Sequence, residues 1–185
     1  LCAIIAGCGS DKESEGQLPV IDVAGAYSNI TTVNLSEYAS AIDYIPLETS
    51  ESSMIQGDVI TMSIAPTNEG VVIYHASSNQ VPLHFSKTGK FIAQIGKSGR
   101  SKEEYNFIEE VYTHDNFIDV VSYDKINTYN HNDGSFAKNI PTGIPEHEVY
   151  RYPDGTYTYL STDFKTKEDK IIILDPKGDT ITTRL

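Results

Sequence analysis

Apolar residues fall along this chain in short runs of about five, several of them followed by a polar turn that contains glycine. Three of these runs are alike: Val81-Pro82-Leu83-His84-Phe85, Ile126-Asn127-Thr128-Tyr129-Asn130 and Ile171-Ile172-Ile173-Leu174-Asp175 begin 45 residues apart. The turn glycines keep the same beat, with Gly89, Gly134 and Gly178 spaced 45 and 44 residues apart. Each sits in a tight polar loop where a positive φ would strain any residue with a side chain. A further strand-like run follows two of the turns, Phe91-Ile92-Ala93-Gln94-Ile95 and Phe136-Ala137-Lys138. Another precedes each hairpin: Gly70-Val71-Val72-Ile73-Tyr74, Phe117-Ile118-Asp119-Val120-Val121 and Tyr157-Thr158-Tyr159-Leu160. A fixed period decides the fold class before any single element does.

Four short strands per repeat of 45 residues predict an all-β fold, a β-propeller with about three four-stranded blades over residues 59–185. Helical repeats of similar length would need apolar residues at helical spacing, which these runs lack. Twenty-one Ile and 12 Tyr against 8 Leu agree with strands, and the absence of Trp removes the WD signature. Three blades form an open arc with unpaired edges, so the chain is expected to be a fragment of a larger ring. A dimer of half-rings and a compact sandwich are the alternatives. Residues 20–58 form a leader in which Val20-Ile21-Asp22-Val23 and Ile42-Asp43-Tyr44-Ile45 are expected to supply a ring-closing strand, with a short helix at 35–41.

The first eight residues, Leu-Cys-Ala-Ile-Ile-Ala-Gly-Cys, are small and apolar, as expected for the end of a signal peptide whose charged start lies upstream. The sequence Ile5-Ala6-Gly7-Cys8 resembles a bacterial lipobox, which implies cleavage before Cys8 and a lipid on its thiol. A Cys2–Cys8 disulfide is the alternative reading. Residues 9–19 then read as a flexible acidic tether, and Ser10-Asp11-Lys12-Glu13 is similar to export signals of surface lipoproteins of Bacteroidota. The expected location is the cell envelope, as an outer-membrane lipoprotein displayed at the surface.

Two further blocks carry a family resemblance. Asp43-Tyr44-Ile45-Pro46-Leu47-Glu48-Thr49 precedes the first repeat, and Ile95-Gly96-Lys97-Ser98-Gly99-Arg100 leads to Glu104-Tyr105. Together they resemble the six-bladed β-propeller lipoproteins of Bacteroidota, whose functions are mostly uncharacterised. The Gly-Pro-Gly stretch of that family is replaced here by Arg100-Ser101-Lys102-Glu103. Asp179-Thr180-Ile181 matches the short O-glycosylation site used in these bacteria, with Thr180 as the acceptor.

Fourteen Lys and Arg against 26 Asp and Glu give a net charge of −12, which repels nucleic acid and anionic headgroups. Membrane attachment is therefore expected through the lipid on Cys8. The five histidines, His75, His84, His114, His131 and His147, show no ligand spacing and are expected on turns or strand surfaces, so no metal site or cofactor is predicted. Glu103, Glu104, Glu109 and Glu110 alternate faces and suit a solvated edge better than paired acids. Asn130-His131-Asn132-Asp133-Gly134 is read as a hairpin turn rather than a calcium loop. Tyr105, Tyr112, Tyr150, Tyr152, Tyr157 and Tyr159 could stack on sugars or peptides, though strand packing accounts for most of them. No catalytic residue is assigned. The expected function is a binding module for an unknown protein or glycan. The alternative is a lactonase-like or glycan-active enzyme with its site in a central channel.

Overall fold

Among the described residues, twelve antiparallel strands form three four-stranded sheets, and each sheet is a simple meander in chain order. The computed structural model describes residues 22–28, 30–57, 59–142, 149–163 and 165–184. Cys2, the lipobox Ile5, Ala6, Gly7 and Cys8, and the tether lie outside the described residues, as does His147.

The first sheet contains β1 (Met62–Pro66), β2 (Gly70–His75), β3 (Leu83–Ser86) and β4 (Phe91–Gln94). The second contains β5 (Ile108–His114), β6 (Phe117–Ser122), β7 (Lys125–Asn130) and β8 (Phe136–Pro141). The third contains β9 (Val149–Arg151), β10 (Tyr157–Asp163), β11 (Glu168–Leu174) and β12 (Thr180–Arg184). Each predicted hairpin is present, and in each sheet the third and fourth strands slip register by a bulge.

Alternation explains the layering. On β10, Tyr157, Tyr159 and Ser161 are buried and Leu160 is exposed, the period-two signature of a sheet with one covered face. The second sheet is covered on both faces. Ile118, Val120 and Tyr129 join Val72 and Ala93 of the first sheet, and Ile95 just beyond its last strand, in one core cluster. Val121, Ile126 and Ile140 join Tyr157, Tyr159 and Leu174 of the third in another. The far face of the first sheet, Ile73, Leu83 and Phe85, is covered by Leu47 and Ile55 from the preceding segment.

The turn glycines make a repeated contact. Gly89, Gly134 and Gly178 have φ of 80°, 67° and 94°. A Cβ on Gly134 would strike the carbonyl oxygen of Gln94 on β4, and one on Gly178 would lie 2.6 Å from Ile140 on β8. The hairpin of one sheet thus rests on the outer strand of the sheet before it. At Gly89 the same place is taken by Pro46, and Glu48 N–H donates to the Gly89 carbonyl at 2.8 Å.

The leader corrects one expectation. Of the strand segment expected at 20–23, residues 20 and 21 lie outside the described residues and Val23 begins a helix, α1 (Val23–Ser28), while 42–45 lie outside any strand. Asp22 is the reason: its carboxylate accepts the Gly25 N–H at 2.8 Å, and its carbonyl the Ala26 N–H at 3.0 Å, which starts a helix over Ala-Gly-Ala. The helix expected at 35–41 is a 3-10 turn, Leu35–Glu37. No described helix is long and apolar enough to cross a membrane.

Candidate functional site

The turns β1–β2, β5–β6 and β9–β10 lie at corresponding ends of the three sheets, and the polar residues of interest gather there. The β5–β6 turn is held tightly: Asp115 has φ of 46°, which Asp tolerates better than most residues, and the Asn116 carbonyl accepts the His131 N–H at 3.1 Å. The β9–β10 turn closes through Gly155 N–H to the Tyr152 carbonyl at 3.0 Å. Within it the Asp154 carboxylate accepts from the Thr156 N–H and hydroxyl at 2.9 and 2.7 Å, and those bonds hold its pKa below the usual carboxylate value.

Beneath these turns Asp119 of β6 is fully buried. Its Oδ1 accepts from the Thr128 hydroxyl at 2.5 Å. Its Oδ2 accepts from the Tyr157 hydroxyl at 2.7 Å and from His114 Nε2 at 2.9 Å, and Arg151 Nε lies 3.2 Å away. Burial is the largest influence on this carboxyl and raises its pKa. The bonds and charge from His114, with the Thr128 and Tyr157 hydroxyls, outweigh burial, so the net shift is downward. Arg151 also stands over the Tyr157 ring, 5.9 Å from its centroid. Since Arg151 and Tyr157 come from the third sheet, Asp119 is a polar clamp between two sheets.

Two depressions open above the clamp. The larger, about 520 Å³, is walled by Phe117, Lys138, Arg151, Pro153, Asp154 and Pro176. The smaller, about 280 Å³, lies between Pro66–Asn68 of the β1–β2 turn and the β5–β6 turn, with His131 at its edge. His114, Asp115 and Phe117 line both.

A second polar cluster lies behind the smaller depression. His84 is fully buried, bonded through Nδ1 to the His131 carbonyl at 2.8 Å and through Nε2 to the Thr67 hydroxyl at 3.1 Å. Burial lowers its pKa and keeps it neutral. His75 and His131 are also buried, so three histidines expected on turns or strand surfaces sit inside instead. Packing covers these positions, and both ring nitrogens of His84 and the Nδ1 of His75 bond to protein oxygens in place of water. Among the described residues no group of three or more His, Cys, Asp or Glu is arranged to hold a metal ion.

The motif residues lie elsewhere. Glu104 and Tyr105 end the β4–β5 connection, where Gly99 N–H donates to the Tyr105 carbonyl at 2.8 Å and the Glu104 carboxylate accepts the Ser101 N–H at 3.1 Å. The Tyr105 hydroxyl donates to the Ile95 carbonyl, and its ring meets Tyr129 edge-on at 5.8 Å. Of the first block, Tyr44 is exposed, Leu47 packs on the first sheet and the Glu48 carboxylate accepts the Phe91 N–H at 3.2 Å. Glu110, one of the four acids expected at a solvated edge, accepts the Tyr74 hydroxyl and is half-buried. Thr180 is exposed at the start of β12. Tyr150 and Tyr152 expose their rings, 5.8 Å apart, whereas Tyr105, Tyr157 and Tyr159 are buried. Asp119, Arg151 and Phe117 were not singled out by sequence. The available signal was a lone carboxylate between Ile118 and Val120, since a charge inside an apolar strand must be paired.

A family model described as "Domain of unknown function (DUF4934)" matches residues 18–185. The chain belongs to the DUF4934 family. A search of the curated proteins finds no match. Among solved structures, the DUF4934 chain is similar to a Bacteroides fragilis protein described as a "putative exported protein", with 24% identity and a TM-score of 0.61. That likeness covers 77% of this chain and 41% of the other, so the DUF4934 chain spans about two fifths of that structure's length. It is also similar to the computationally designed Ika4 protein at 11% identity and a TM-score of 0.50, over 78% and 79% of the two chains. Both likenesses speak to the fold alone.

Proposed function

We propose that the DUF4934 chain is an exported envelope protein, held at the outer membrane by a lipid on Cys8, that works as a binding module. In this reading the three sheets are blades of a six-bladed propeller, and the turn face carrying His114, Phe117 and Asp154 meets the ligand. The observation that carries it is the pair of open depressions on either side of the β5–β6 turn, set on rigid sheets above a buried clamp. Export agrees with the description of the Bacteroides fragilis neighbour as a "putative exported protein". The lipobox-like Ile5-Ala6-Gly7-Cys8 supports the anchor.

The rival is a hydrolytic enzyme, favoured by one observation: His114 is backed by a buried carboxylate, the arrangement that orients a general base. The test is expression of the precursor in a Bacteroides host with and without Cys8→Ser. Intact mass should show the acyl chains only with the cysteine, and the variant should leave the membrane fraction. Envelope saccharide and peptide fractions are then added to the isotope-labelled protein. Shift changes confined to residues 113–117 and 152–156, without turnover, support the binding module, and steady conversion of either fraction replaces it with the enzyme.

A further inference from the structure

We propose that the two depressions flanking the β5–β6 turn are successive subsites for an uncharged, linear oligosaccharide, an inference that rests on the binding-module reading. The first argument is repetition. Each depression lies between the turns of neighbouring sheets, and His114, Asp115 and Phe117 form the ridge they share. Two adjacent sites of unequal size that share a wall match a linear ligand whose successive units fill one each, so that affinity grows with length once both sites are filled.

Charge is the second argument. Around the larger depression, Lys138 and Arg151 stand against Asp115 and Asp154, and Asp119 answers Arg151 from behind. An ionic ligand of either sign would meet its own sign there as well as the opposite one. A hydroxyl donates and accepts together, so a polyol can use both kinds of group. Capacity remains for it: the Lys138 ammonium, with three protons, donates one bond to the Pro176 carbonyl at 2.5 Å, and Asp154 accepts from Thr156 through Oδ1.

The third argument is the apolar platform. Phe117 is half-buried with its ring 6.0 Å from that of His114, and Pro153 and Pro176 border the same space. A pyranose presents polar edges and an apolar C–H face, which suits a partly exposed ring flanked by prolines. A volume of about 520 Å³ falls in the ordinary range of small-ligand pockets. An extended peptide fits less well, because it pairs along a sheet edge, whereas turns supply the lining here.

The test titrates the full chain with gluco-, manno- and xylo-hexasaccharides and their disaccharides by calorimetry. A galacturonic acid hexamer and a neutral hexapeptide serve as comparison ligands. At least one neutral hexasaccharide should bind about tenfold or more tightly than its disaccharide. Phe117→Ala and Asp154→Asn should each weaken it about tenfold at unchanged melting temperature. If Phe117→Ala unfolds the chain, the surface variants Asp154→Asn and Lys138→Ala decide. Absence of binding by every neutral hexasaccharide overturns the proposal. Preference for the acidic hexamer or the peptide, lost in the same variants, also overturns it but leaves the binding module standing. Silence toward all three classes overturns both.

Discussion

Asp119 commits both carboxylate oxygens to partners on two sheets, and it is fully buried. Removing one partner of a buried, hydrogen-bonded charge pair leaves the other uncompensated, so Asp119→Ala should cost about 3–5 kcal/mol, measured by urea denaturation. Tyr157→Phe deletes a single bond to the same charge and should cost about 1.5–3 kcal/mol. Titration adds two limits. The lowered pKa of Asp119 contributes stability that is present above the ordinary value of 3.8 and is lost as pH falls through the folded-state value. Burial, the first cause in each case, pushes the phenols of Tyr74, Tyr112 and Tyr129 up to about 12. Their contribution is full below the ordinary value of 10.0 and disappears as pH rises from there through about 12. The ring NMR signals of Tyr74, Tyr112 and Tyr129 should therefore change together with circular dichroism in that window, and ionisation of these three ahead of unfolding would contradict it. At this scale the sequence was only partly legible: Asp119 passed unmarked inside an apolar strand, and its donors lie 5 to 38 residues away and come together only through sheet packing.

Among the elements, the outer hairpins carry the most information. The spacing of Gly89, Gly134 and Gly178, 45 and 44 residues, was legible because the turn chemistry is local and repeats. What each glycine touches was not, since Gln94 and Ile140 belong to the preceding sheets. Gly134→Ala should cost about 1–3 kcal/mol from its backbone conformation, with the approach to the Gln94 carbonyl adding to that. Gly178→Ala meets an isoleucine side chain rather than backbone and should cost less, an ordering that paired urea midpoints would check. In the leader Val23 read as the end of a strand, whereas the Asp22 carboxylate caps a helix that begins there.

For the whole molecule, spacing along the chain foretold the grouping of twelve strands into three sheets. The angle between successive sheets, which sets how many close a ring, depends on side-chain volumes in the two core clusters and is not written in strand periodicity. On the third sheet, Leu160 and Ile171 are paired in register and both exposed. An apolar sheet face of this kind promotes association. The chain should self-associate in sedimentation runs, more strongly in high salt where the net charge of −12 is screened, and Leu160→Lys with Ile171→Lys should return it to monomer. The middle sheet has a packed neighbour on either side, and that position fixes an order of events. Thermal opening should begin with β11 and β12 and reach β6 and β7 last, so their amide protons should be the final ones to exchange with heavy water.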